Sequence, residues 1–107
     1  MTKPRIKLIP ETPKAGDIIE VKTLITHVME TGNRKDADGN TVPRNIVKLF
    51  FATFGGREVF RAEMQPGIAA NPYIAFHFKV PGPGELELTW VEDGGTKTIE
   101  KVAITVS

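Results

Sequence analysis

The sequence predicts an all-β fold, an immunoglobulin-like antiparallel β-sandwich of about seven strands. Three observations carry that expectation. Apolar and polar residues alternate with period two along most of the chain, Gly- and Pro-centred turn signals punctuate the runs at near-regular spacing, and no window shows a 3.6-residue apolar stripe of helical length. The 107 residues form a single domain, 1–107, with no repeat, low-complexity tract or linker to divide it. A chain of this size buries somewhat over ~60% of its unfolded surface, which supplies one modest core.

The elements follow in order. A blunt first strand spans Arg5–Ile9, and Pro13-Lys14-Ala15-Gly16 turns the chain. Ile19, Val21, Thr23 and Ile25 then alternate with Glu20, Lys22 and Thr26, which makes a half-buried strand about Asp17–His27. A long charged segment, His27 to Arg44, comes next. Connections in compact domains commonly run ~4–6 residues, and much longer ones tend to be functional or disordered. The strand around Asn45–Phe54 differs from the others, because Ile46, Val47, Leu49, Phe50, Phe51 and Phe54 give it apolar residues on both faces. A sandwich strand normally turns one face to water, so this one needs extra intramolecular cover or a partner. Phe54-Gly55-Gly56-Arg57 reads as a two-residue hairpin, and Asp93-Gly94-Gly95-Thr96 as another. Between them lie Phe60, Ala62 and Met64 opposite Arg61 and Glu63; then Ile74, Phe76, Phe78 and Val80; then Leu86, Leu88 and Trp90. Val102, Ile104 and Val106 close the pattern.

Composition narrows the function. Lys+Arg 14 against Asp+Glu 13 gives a net charge of +1. The two signs interleave along the chain, so no basic face is expected, nor binding to nucleic acid or to a membrane surface. There is no cysteine, which removes disulfides, thiolate metal sites and thiol nucleophiles together. The N-terminus lacks an apolar core region and a small-residue cleavage site, so no signal peptide is expected on this chain. No apolar run approaches the ~20 residues of a membrane-spanning helix.

Candidate chemistry is sparse. His27 and His77 stand fifty positions apart, and a zinc site takes three or four ligands. Asp36-Ala37-Asp38-Gly39-Asn40 has a calcium-loop flavour, but the twelve-residue spacing and terminal Glu are missing, and turn chemistry explains it. Met29 and Met64 read as core or interface filler sooner than copper ligands. Glu85 and Glu87 share one strand face and read as a solvated pair; Ser107 is the only serine, and Tyr73 has no visible catalytic partner. The expectation is a non-enzyme with no metal and no cofactor. A generic sandwich binding module and a small metal-dependent or electron-transfer domain are the competing classes.

Several stretches together resemble one family. They are Lys22-Thr23-Leu24-Ile25-Thr26-His27-Val28-Met29-Glu30-Thr31-Gly32, Arg34-Lys35-Asp36, Gly39-Asn40, Pro43-Arg44 with Ile46, Ala69-Ala70-Asn71-Pro72-Tyr73, and Thr89-Trp90-Val91-Glu92-Asp93. They resemble SoxZ, the cysteine-free subunit of the SoxYZ sulfur-carrier complex of thiosulfate oxidation, over nearly the whole chain; Val28 stands where the family pattern leads one to expect proline. The resemblance implies an immunoglobulin-like sandwich in a heterodimer with SoxY, whose C-terminal cysteine carries the sulfur intermediates. It also implies transient encounters with SoxAX, SoxB and SoxCD, and a periplasmic location reached by folded export with a signal-bearing SoxY. A homo-oligomer is expected as an alternative state of the isolated chain. Candidate interface residues, chosen near the long segment and the two-faced strand, are His27, Met29, Phe51, Asn71 and Tyr73, with Glu30 and Arg34 at a polar rim.

Overall fold

The computed structural model describes residues 4–25, 29–30, 32–64 and 71–107. Period-two alternation becomes seven strands: β1 (Arg5–Ile9), β2 (Ile18–Leu24), β3 (Val47–Phe54), β4 (Arg57–Glu63), β5 (Tyr73–Lys79), β6 (Gly84–Glu92) and β7 (Lys97–Ile104). They form two sheets, a three-stranded one in the order β1-β2-β5 and a four-stranded one in the order β4-β3-β6-β7. Every named pairing is antiparallel. The fold is the expected sandwich.

Alternate residues of each sheet meet in one core. Ile19, Val21, Phe76 and Phe78 come from the smaller sheet; Phe50, Ala52, Leu86, Leu88 and Trp90 come from the larger, and all are buried. Aromatic rings tie the layers together. Phe60 of β4 stacks on Phe76 of β5 with centroids 4.7 Å apart, and Phe50 lies 5.0 Å from Trp90 and 6.1 Å from Phe76. Such offset pairs add ~0.5–1.5 kcal/mol beyond their area burial. Thr23, polar and buried, is satisfied because its hydroxyl donates to the Ile74 carbonyl at 2.8 Å.

The turns obey their residues. Gly55 and Gly56 take φ of 58° and 81°, the left-handed pair that a two-residue hairpin needs, and Phe54 pairs with Arg57 across it. The β6–β7 connection differs from the expected two-residue turn. Glu92 donates to the Thr96 carbonyl at 2.9 Å and Gly95, at φ 91°, donates to the Glu92 carbonyl at 2.9 Å, so three residues form the loop. Putting the left-handed position at Gly95 frees Asp93 to face the β2–β3 connection. Gly84 is required for another reason: a Cβ there would lie 2.7 Å from the Phe54 ring. β2 ends at Leu24, short of the predicted His27, although Ile25 beyond it is still buried. β7 likewise stops at Ile104, with Val106 packed half-buried against the core.

β3 explains its own two-sidedness. The pleat sends Phe50 and Ala52 inward and leaves Leu49 and Phe51 on the outer side, while the register shift between Val47 and Leu49 lets Val47, three residues before Phe50, be buried as well. Both outer residues are only half-buried.

Candidate interaction surfaces

Both sheet ends that flank the β2–β3 connection are built from local hydrogen bonds. Glu30 and Asn45 exchange backbone bonds at 2.9 and 2.8 Å, and Val42 donates to the Arg34 carbonyl at 2.8 Å. The segment therefore doubles back on itself as an irregular hairpin, with a second bridge between Lys35 and Thr41. Its tip is turned by Asp36, whose Oδ1 accepts from the amides of Asp38 at 2.9 Å and Asn40 at 3.0 Å. That is side-chain turn chemistry, as the residues suggested.

Asp93 anchors the returning limb. Arg44 donates through Nε at 2.8 Å to Oδ2 and through Nη2 at 2.9 Å to Oδ1, and the Ile46 amide donates to Oδ2 at 3.1 Å. The Asp93 amide returns a bond to the Ile46 carbonyl at 3.0 Å. The Arg44 guanidinium, with the Ile46 amide, holds the Asp93 carboxyl down to about 2 from an ordinary 3.8. Beside it the Asn45 amide donates to Glu92 Oε1 at 3.2 Å. Gly32 completes the close approach, at φ 89° with space for a Cβ only 3.1 Å from Arg44 Cβ.

The sequence-chosen residues land in three places. Met29 is buried, and its sulfur accepts the Val47 amide at 3.3 Å, so this thioether faces the core and not the solvent. It does so at φ 54°, a left-handed conformation that an unbranched apolar residue rarely takes. Glu30 and Arg34 form a two-pronged pair at 3.1 Å, with the Arg34 side chain 64% exposed and its guanidinium pKa raised by the Glu30 hydrogen bonds. Asn71, exposed and also at φ 54°, leads into Tyr73 at the start of β5. Phe51 lies elsewhere, on the outer side of the four-stranded sheet, with the Arg61 guanidinium 5.5 Å from its ring centroid. Tyr73 is 58% exposed on the outer side of the three-stranded sheet, so Phe51 and Tyr73 point away from each other across the sandwich. His27 lies outside the described residues.

The register shows what the two outer faces contain. On the four-stranded sheet, Arg61, Phe51, Thr89 and Ile99 form one row across β4-β3-β6-β7, and Glu63, Leu49, Val91 and Lys97 form the next. Thr89 and Val91 are buried although they face outward, and Ile99 is 50% exposed. A shallow depression of about 270 Å³ lies beside this stripe, lined by Lys48, Leu49, Arg61, Glu63 and Met64. Two ion pairs lie on the same face, Arg61 with Glu58 at 2.8 Å and Lys101 with Glu85 at 4.0 Å. On the three-stranded sheet the rows are Arg5–Leu24–Tyr73, Lys7–Lys22–Ala75 and Ile9–Glu20–His77, followed by Ile18–Lys79. Here the expectation of no basic face is corrected. Charges that interleave in sequence are sorted by the pleat, and Arg5, Lys7, Lys22 and Lys79 share a face with Glu20 as its one acid among the described residues.

Sequence reasoning missed Arg44, Asp93 and Ile99. Forty-nine positions separate Arg44 from Asp93, and only the turn geometry brings them together. Ile99 carried a signal, an apolar residue at a polar-face position between Lys97 and Lys101. Among the described residues no cluster of three or more His, Cys, Asp or Glu side chains is arranged to hold a metal ion.

Compared with known families, residues 6–103 match the family described as "Sulphur oxidation protein SoxZ". The chain belongs to the SoxZ family. That membership gives it a role in Sox sulfur oxidation. No curated protein matches the sequence. Among solved structures, the SoxZ-family chain is similar to a superoxide reductase (neelaredoxin) from Ignicoccus hospitalis, at TM-score 0.70 and 18% identity, covering 99% of this chain and 81% of that one. It is also similar to the sulfur carrier protein SoxY from Chlorobium limicola f thiosulfatophilum, at TM-score 0.68 and 13% identity, covering 99% and 76%. A putative superoxide reductase from Thermotoga maritima gives TM-score 0.70 at 16% identity, covering 97% and 85%. At these identities the likenesses establish a shared sandwich fold and nothing of its chemistry.

Proposed function

We propose that this chain is the non-catalytic subunit of a SoxYZ-type carrier: it binds and stabilises a SoxY partner, whose C-terminal cysteine holds covalent sulfur during thiosulfate oxidation. The observation that carries the reading is the SoxZ family match over residues 6–103. The absence of cysteine is consistent with it, since a subunit without a thiol cannot exchange with a sulfur-loaded thiolate beside it. A redox role of the superoxide-reductase kind draws no comparable support, because a chain with two histidines and no cysteine is poor in soft and imidazole ligands.

We assign the SoxY contact to the outer face of the four-stranded sheet, centred on Phe51 and flanked by Leu49 and Ile99, with Glu30 and Arg34 at its rim. A stripe of this kind, apolar with paired charges around it, has the anatomy of a stable interface. In the carrier cycle the heterodimer meets SoxAX, SoxB and SoxCD in turn, in the periplasm, exported folded on a signal borne by SoxY. Co-expression with a candidate SoxY, affinity capture and intact-mass measurement test the core claim. The expected product is a one-to-one complex with sulfur adducts on the partner's cysteine alone. No association overturns it. Recovery of this chain from the periplasm of cells lacking SoxY overturns the export route.

A further inference from the structure

The outer face of the three-stranded sheet is electrostatically unbalanced in a way the rest of the molecule is not. Among the described residues its strands hold Arg5, Lys7, Lys22 and Lys79 against one acid, Glu20. Lys7 and Lys22 stand directly opposite each other on β1 and β2, with Arg5 on the same face one pleat along. Like charges placed opposite across a strand pair destabilise the sheet. Glu20 offers limited relief, since its carboxylate is shared, 3.8 Å from Lys22 Nζ and 3.8 Å from His77 Nε2. The cluster adjoins an apolar platform. Leu24 and Tyr73 are paired across β2 and β5, 37% and 58% exposed, and Ala75 beside Tyr73 keeps the surface low. A depression of about 160 Å³ runs along Arg5, Ile6, Lys7, Lys22, Thr23 and Leu24.

We propose that this face docks an acidic segment of another protein, with one aromatic or aliphatic side chain of that segment seated on Leu24 and Tyr73 and its carboxylates against Arg5, Lys7 and Lys22. Charge complementarity selects the occupant. A second copy of this chain joined by a two-fold would set the basic face against itself. A nucleic-acid backbone finds little long-range attraction in a chain of net charge +1. The surface is separate from the proposed SoxY contact, which uses the opposite side of the sandwich, so a heterodimer keeps it open for a transient acidic visitor.

The test selects a displayed library of random twelve-residue peptides on the immobilised full chain and measures the winners by fluorescence anisotropy. Enrichment of Asp and Glu around a single aromatic or aliphatic residue is expected, with affinity falling as salt is raised. The double variant Lys7→Glu/Lys22→Glu should weaken binding about tenfold or more, and Tyr73→Ala several-fold, while Lys97→Glu/Lys101→Glu on the other sheet changes nothing. Thermal melts of each variant confirm folding. Peptides without acidic bias, or an equal loss in the Lys97/Lys101 variant, overturn the proposal. So does tighter binding of phosphatidylserine vesicles or duplex DNA than of any peptide, lost in the Lys7/Lys22 variant. SoxY capture by the same variants separates the two readings: Lys7→Glu/Lys22→Glu should leave it intact, whatever the fate of the peptides.

Discussion

The two outer faces of this sandwich are made by the same period-two rule, yet they balance their charges differently. The four-stranded face has Phe51, Leu49 and Ile99 in adjoining rows over the buried Val91, with ion pairs Arg61–Glu58 and Lys101–Glu85 near them. The three-stranded face sets Lys7 against Lys22 beside Arg5, with exposed apolar residues at both ends, Leu24 and Tyr73 at one and Ile9 and Ile18 at the other. The difference is one of binding regime. Apolar area released from water favours a lasting association, whereas a surplus of one charge raises encounter rates and gives specificity that salt can screen. A carrier subunit under the proposed reading needs both, one face for its permanent partner and one for brief meetings.

The sharpest way to break the comparison is to truncate one aromatic on each face. Phe51→Ala should weaken SoxY binding by about 2–4 kcal/mol, the range of a central interface anchor. Tyr73→Ala should leave SoxY affinity within about 0.5 kcal/mol. Titration calorimetry on variants of matched thermal stability reads both. The reverse pattern, with Tyr73 sensitive and Phe51 silent, would exchange the roles of the two faces.

A second prediction concerns the end of the sandwich that joins them. Asp93→Ala removes both prongs of the Arg44 fork and strands the amide of the buried Ile46. A buried donor left unpaired costs about 1–3 kcal/mol, and urea denaturation should show a loss of that size. Asp93→Asn keeps an acceptor for Ile46 and should recover part of it. If Asp93→Ala is neutral in stability, the returning limb of the β2–β3 connection is held by something else.

How much of this was legible beforehand follows from where each feature gets its information. Strands such as Ile19-Glu20-Val21-Lys22-Thr23 announce themselves, because burial of one face alternates residue by residue. The Gly55-Gly56 hairpin is equally local. The Asp93 loop was read one residue too short, since its length depends on the distant Arg44 and Ile46 contacts that Asp93 makes. Met29 fits core or interface by residue type alone, and it is the backbone that turns its thioether inward to Val47. The basic face was invisible for a similar reason. Arg5, Lys7, Lys22 and Lys79 sit on three strands, and of the acids between them in sequence only Glu20 shares their face.

A smaller effect separates Arg44 from Asp93 by pH. The Asp93 carboxyl is lowered in the folded state, from 3.8 to about 2, so its contribution is fully present above 3.8 and disappears as pH falls through about 2. Arg44→Ala removes the chief cause of that lowering. The stability gap between wild type and Arg44→Ala should therefore be constant near neutral pH and shrink between about pH 4 and pH 2. A gap that widens on acidification would mean that Arg44 acts through packing and not through the carboxylate.

The smallest expected effect lies at Arg34. Its guanidinium grips Glu30 with two prongs, but the arginine side chain is 64% exposed, and water and salt screen such a pair so that it contributes little to stability. Arg34→Ala should leave the denaturation midpoint almost where it was. Its influence on SoxY belongs to the rim, where a charge alters the association rate and its salt dependence more than the dissociation rate. Stopped-flow association at low and high salt distinguishes the cases. A slower on-rate at low salt, converging with wild type at high salt, places Arg34 at the edge of the SoxY contact; identical rates at both put the contact farther across the four-stranded sheet, around Phe51 of β3 and Ile99 of β7.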